Sequence, residues 1–325
     1  MRECLKSLLA LAMLSAATLA AAVPRTEETA GNGEPARATF VDLTDDFARL
    51  HDATEGLPEA ERVQAFKQRV LPLFPSFYGI ERFEGRATWE QRDRQIANAL
   101  ARFPEQRAAY LAKAAQFGAD LDENIASFRQ AFSDFSLTTP IYLLHSLGEM
   151  DGGTRDFDGR TYLIFGADGM VRYHAGWESE SAFFHHELFH TYHQQRLGDC
   201  EPVWCVLWIE GLAVHVAQRL NPDASEPELL LDFPAGMAAA TRAVLVPSLE
   251  HLKTVLDSED DATMNALFSS GTDATGLPSR RGYYLGWLIA QRIGNDRDLA
   301  ELANLPRERV RPLLEAAIDD LLSTP

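Results

Sequence analysis

The sequence predicts an α+β fold, mostly helical, in which a small sheet precedes a pair of helices that carry the chemistry. Three observations predict it. Apolar residues recur at helical spacing from about residue 39 to 136, and again from 226 to the C-terminus. Short apolar runs separated by Gly and Asp lie between residues 140 and 175, as strands and their turns require. Two segments over 179–221 then join helical periodicity to start and stop signals.

At the N-terminus, Arg2 and Lys6, the apolar stretch Leu8 to Leu19 and the small residues Ala20, Ala21 and Ala22 read as a secretory signal over residues 1–22. The stretch is shorter than the ~20 residues a membrane span needs, and no second apolar run of that length follows. The expected location is periplasmic or secreted, with a retained anchor as the alternative. Residues 23–38, rich in Pro, Gly, Ala and charge, read as a flexible leader. With 46% hydrophobic residues among 325, the chain can bury a sizeable core in one large domain or two small ones. Loss of Arg2, Lys6 and Glu3 with the signal moves the net charge from -18 to -19. Nucleic acid is therefore not an expected partner.

Residues 39–138 form a helical N-terminal region, with stripes at Val63, Phe66 and Val70, at Ile96, Leu100 and Phe103, and at Leu121, Ile125, Phe128 and Phe132. Prolines 58, 72, 75 and 104 punctuate these helices. Residues 139–325 form a second region. Its sheet, over 140–175, is read as a strand at Ile141 to Leu144, a Gly/Asp-rich connection, and a hairpin of Thr161 to Phe165 with Val171 to His174 around Ala167-Asp168-Gly169. Ser179 or Ser181 caps a helix that runs to about Arg196 and stops near Gly198. Pro202 starts the next, which ends near Asn221 and Pro222. The remainder is helical, interrupted over 269–279.

The two central helices carry His186, Glu187 and His190 in HHELFH and Glu210 in WIEGLA. Residues four apart on a helix share a face, so both imidazoles can reach one ion at about 2.0–2.1 Å. Glu210 supplies a third ligand and leaves a fourth position open. Glu187 stands beside the pair as a general base for the water that zinc activates. His193 is a poor third ligand, because it lies seven residues from His186, about 10.5 Å along a helix. His185 flanks the site, His215 lies on the Glu helix away from the metal, and Trp177, Trp204 and Trp208 are packing. Cys200 and Cys205, between the two helices, either form a disulfide in an oxidising compartment or remain buried thiols. Arg280 and Arg281 read as an exposed pair, with binding of a substrate carboxylate as the alternative. Tyr283 is either core or the donor to an oxyanion.

HELFH, a Glu twenty residues beyond the second His, and the Glu-Gly-Leu-Ala context together resemble the gluzincins, HExxH zinc metallopeptidases with a downstream Glu ligand. The likeness covers about residues 162–293; the spacing looks like that of thermolysin-type enzymes, while the Glu-Gly-Leu-Ala context and Tyr283 to Gly286 look closer to the membrane alanyl aminopeptidases and to uncharacterised bacterial predicted Zn-dependent proteases. The resemblance implies a zincin-like catalytic region with one Zn2+ per chain on His186, His190 and Glu210. It implies Glu187 as base, Tyr283 as oxyanion donor and a peptide or protein as substrate. The Gly-x-Met-Glu-Asn strand by which those aminopeptidases grip a free amino end is not found between residues 140 and 185. Val214 stands where thermolysin-like enzymes place an Asp, so another group must orient a ligand His. The expected function is an exported zinc metallopeptidase. The alternatives are a non-catalytic envelope scaffold and a zinc hydrolase of a non-peptide substrate.

Overall fold

The computed structural model describes residues 38–198 and 200–323. The signal over 1–22 and all but the last residue of the leader lie outside the described residues. Thirteen helices and a four-stranded mixed sheet make up the described chain, a mostly helical α+β fold.

The strands are β1 (Phe40–Asp42), β2 (Ile141–Leu144), β3 (Gly152–Phe157) and β4 (Arg160–Gly166), in the order β1-β2-β4-β3. β1 and β4 run parallel to β2, and β3 is antiparallel to β4. Three expectations change here. The strand at Phe40–Asp42 adds the N-terminal region to the sheet, so that region is not wholly helical. The hairpin is made by β3 and β4: β4 holds the strand expected at Thr161 to Phe165, but β3 and the turn lie inside what reads as a Gly/Asp-rich connection. Its turn is Asp158-Gly159, both left-handed at φ 53° and 73°, the pair a two-residue hairpin turn favours. Val171 to His174 is no strand: Ala167–Tyr173 is helix α5. The Asp168 carboxylate in its first turn accepts hydrogen bonds from the backbone of Ser146 and Gly148 and from Ser146 Oγ.

The preceding helices are α1 (Thr44–Ala53), α2 (Glu59–Arg69), α3 (Pro75–Tyr78) and α4 (Trp89–Ala131). α4 starts at a reciprocal cap between Thr88 and Gln91 and continues through Pro104, which does not break it. Pro104 is exposed and cannot donate to the carbonyl of Leu100; Arg62 Nη2 donates to that oxygen at 3.4 Å instead.

After α5 come α6 (Ser181–Leu197), α7 (Val203–Leu220), α8 (Met237–Ala243), α9 (Leu245–Val255), α10 (Asp261–Phe268), α11 (Arg281–Ile293), α12 (Leu299–Ala303) and α13 (Arg307–Ser323). Gly198, with φ 72°, ends α6, and Pro202 precedes α7, as expected. Neither Ser179 nor Ser181 caps α6, because Glu180 occupies the cap and Ser179 Oγ only accepts from the Ser181 amide. By length and composition α7 could cross a bilayer, contrary to the expectation of no second such run, but 78% of it is buried within the fold. One hydrophobic cluster joins Phe47 and Phe103 to Leu163 of the sheet, Phe184 of α6, Leu207 of α7, Ile289 of α11 and Leu314 of α13. The ligand helices sit at its centre.

Candidate metal centre

α6 is buried around most of its circumference: Phe183, Phe184, Leu188 and Phe189 are under 2% exposed, and His185, His186, Glu187 and His193 are buried with them. Polar groups placed so deep cost stability unless something pairs with them. For His186, His190 and Glu210 the pairing is mutual. His186 Nε2 and His190 Nε2 stand 2.9 Å apart, and Glu210 Oε2 is 3.4 Å from the first and 3.5 Å from the second. A tetrahedral ion held at about 2.0–2.1 Å by each donor needs donor separations near ~3.3 Å. The three atoms therefore form one triangular face of such a site, and the group could hold a metal ion.

The electrostatics agree with that fit. Burial alone would raise the Glu210 carboxyl, yet the charge of His190 and hydrogen bonds from both imidazoles hold it far below the usual carboxylate range. Burial works against a charge on His190, but Glu210 outweighs it and raises that imidazole. These opposite directions favour a negative carboxylate beside the imidazoles, and a divalent cation bound there would take the place of the proton on His190. His186 Nδ1 is buried without a partner among the described residues, so the expected orienting group for this ligand is not found. Packing fixes its ring.

Glu187, beside the triangle, is 5% exposed with one carboxylate oxygen unpartnered. Burial raises its pKa to about 7, opposed by His190 and reinforced by Glu210 and Asp151. Tyr283 reaches the same centre from α11. Burial first and Glu210 second push its phenol well above the ordinary value, and the phenol is within hydrogen-bond reach of the Glu210 carboxylate. Two glycines allow this approach. A Cβ on Gly211 would lie 2.2 Å from the carbonyl carbon of Gly286, so only bare backbone lets α11 cross α7 so closely. Tyr283 comes one turn before that crossing.

A cavity of 1080 Å3 opens over the centre. Its lining includes His186, Glu187, His190, Glu210 and Tyr283, Gly152 to Arg155 of β3, the aromatic group Tyr173, Trp177 and Phe233, and Arg280. His193 lines it too but does not join the metal group. His185 turns away to Asn221, 2.8 Å from its amide nitrogen, and His215 lies among Gln218, Gln291 and Gly294 in a separate hollow. Trp204 and Trp208 are buried packing, whereas Trp177 stacks on His174 at 3.8 Å and borders the cavity. Cys200 and Cys205 are disulfide-bonded, closing the turn between the ligand helices.

Arg280 and Arg281 do not form an exposed pair. Arg281 is fully buried against Asp273, while Arg280 faces the cavity. The sequence reasoning also missed Asp151 and the β3 wall, because Gly152 and Gly153 gave no strand signal. No family model matches the chain, and no curated protein or solved structure matches it either. What the site itself presents is a buried His186, His190 and Glu210 group compatible with an HExxH zinc centre.

Proposed function

We propose that the protein is an exported zinc metallopeptidase that hydrolyses peptide bonds. The observation that carries this reading is a single cavity where a three-donor face, a buried carboxyl held near neutrality and an open strand edge meet. Zinc bound there would polarise a carbonyl and bring the pKa of a water down to roughly 7. Glu187, at about 7, can take the proton of that water and return it to the departing amine. Tyr283 keeps its proton across the physiological range and can donate it in a hydrogen bond to the oxygen on which charge develops.

The outer edge of β3 favours a peptide over a small molecule. β4 pairs one side of β3, no described strand pairs the other, and residues Gly152 to Arg155 face the cavity. An extended chain can dock on such an edge by main-chain hydrogen bonds, which puts its carbonyls in register with the donor face. Export is supported by the signal-like residues 1–22 and by the Cys200–Cys205 disulfide, a bond that persists in oxidising compartments. The net charge of -18 speaks against nucleic acid as a partner.

Digestion of a peptide library with zinc-loaded protein, with and without chelator, tests the reading. Chelator-sensitive cleavage is expected, falling at least ~100-fold in Glu187→Gln while zinc remains bound. Full activity of Glu187→Gln would overturn the assigned base. Stoichiometric zinc with no cleavage of any peptide would favour the alternatives, an envelope scaffold or a hydrolase of another substrate.

A further inference from the structure

Adjacent arginines at the start of α11 have opposite fates. Arg281 is fully buried and ion-paired: its Nη2 lies 2.8 Å from Asp273 Oδ2 and 3.1 Å from His251 Nδ1, and its Nη1 donates to the Pro278 carbonyl at 3.0 Å, which leaves only its Nε without a partner. Arg280 adopts a left-handed backbone, φ 58°, which turns the chain so that its side chain leaves the packed face and lines the cavity. A left-handed backbone is strained for a residue with a Cβ.

The Arg280 guanidinium lies over the Tyr283 ring at 4.3 Å and over the Phe233 ring at 5.2 Å. Its Nε is buried without a hydrogen-bond partner, and no carboxylate among the described residues pairs with it. Among the described residues the cavity has one other arginine, Arg155, whose Nη1 donates to the Thr154 carbonyl at 2.7 Å. Acidic groups otherwise dominate the lining: Glu201, Asp232, Glu259 and Asp260 would repel an anion from most of the cavity. A charged fork with no hydrogen-bond or ion-pair partner for its side chain among the described residues, beside the tyrosine of the candidate centre, is thus a point at which one anionic group is welcome. Its planar donors match a carboxylate in two parallel hydrogen bonds.

Building on the peptidase reading, we infer that Arg280 receives a carboxylate of the substrate and thereby selects which peptides this cavity holds. The carboxylate is either the C-terminal group of a peptide or an Asp or Glu side chain, and Arg280 bound to it fixes the distance from that group to the bond over the donor face. Tyr283, in contact with both Arg280 and Glu210, links the anion subsite to the centre.

Calorimetric binding to the metal-free protein and to zinc-loaded Glu187→Gln tests this without turnover, so it can fail or succeed apart from the peptidase reading. The probes are N-acetyl-Ala-Ala-Phe-Ala as the free acid, the same peptide as its amide, and the amide with Glu in the last position. The free acid or the Glu amide should bind at least ~10-fold more tightly than the plain amide, the worth of a charge-assisted hydrogen bond. Arg280→Gln should abolish the preference, and Arg280→Lys should restore part of it, since a lysine keeps the charge but not the fork. Preference for the free acid identifies a C-terminal carboxylate and preference for the Glu amide a side chain. Binding of all three within two-fold of one another, no binding of any, or a preference that survives Arg280→Gln would each overturn the inference.

Discussion

Gly211→Ala should be among the most damaging single-methyl additions to this protein, because of what that methyl would meet. The new Cβ would lie 2.2 Å from the carbonyl carbon of Gly286, 2.4 Å from its oxygen and 2.5 Å from its Cα. These are backbone atoms of another helix and cannot rotate aside. Carbon atoms pack at about 3.5–4.0 Å, so α7 and α11 would have to separate by roughly 1.5 Å along a contact that runs through the core. Overpacking of this kind costs about 2–3 kcal/mol, against the slight gain that Ala normally brings to a helix. Gly118→Ala in α4 supplies the control: a Cβ there meets nothing within 4 Å, and the change should stabilise by about 0.5–1 kcal/mol. Urea midpoints at constant slope should therefore move in opposite directions for the same chemical substitution. On the proposed function, Gly211→Ala should also retain zinc, whose proposed ligands lie on α6 and α7, while losing turnover as Tyr283 is carried away from Glu210. Equal midpoints for the two variants would refute the claim that bare backbone at this crossing positions the centre.

Glu210→Ala should lose stoichiometric zinc by elemental analysis while His193→Ala keeps it, since His193 stands outside the donor group; zinc retained by Glu210→Ala would remove the third ligand from the scheme. His215 should impose a pH dependence on stability. Burial lowers its pKa from 6.5 to about 4, so above pH 6.5 both folded and unfolded forms hold it neutral and it has no effect. As pH falls below 6.5 the unfolded chain takes the proton first, and the native state loses about 2 kcal/mol by pH 5 from this group alone. Urea midpoints at pH 7 and pH 5 should accordingly differ less in His215→Gln than in the natural protein, and an identical pH response in the two would contradict the burial argument.

The sequence made the metal helices legible because their signals are local. The spacing of His186 and His190 needs only helix geometry, and the bounds of the two helices needed only Gly198 and Pro202. What escaped depends on distant partners. β3 holds Gly152 because a Cβ there would strike the Phe183 ring of α6 at 2.4 Å, a packing demand that erases the alternation by which a strand is recognised. The hairpin was assigned to Asp168-Gly169 when Asp158-Gly159 makes the turn; the two dipeptides are locally alike, and only the pairing of β3 with β4 separates them. Pro104 reads as a break, and α4 passes through it because Arg62, 42 positions earlier, donates to the freed Leu100 carbonyl. The division between Arg280 and Arg281 likewise required Asp273 and the left-handed turn, neither of which is periodic.

The composition of α7 bears on why the centre is built as it is. An 18-residue helix apolar enough to cross a bilayer carries one carboxylate, Glu210, 8% exposed in the middle of the core. An isolated buried carboxylate would cost several kcal/mol, and the imidazoles that offset it are themselves penalised by burial. Replacing all three by apolar residues would give a core that is simpler and no less stable. The arrangement makes physical sense when the three groups converge on a cation, which neutralises Glu210 without a proton and uses the lone pairs that desolvation leaves exposed. The same burial that makes the donors expensive also raises Glu187 toward neutrality, so one low-dielectric surrounding would serve both the proposed metal and the proposed base. The hydrophobic shell supplied by Phe183, Phe184, Leu188 and Leu207 would then be part of the proposed chemistry, and it is drawn from the same core that joins the sheet to the C-terminal helices.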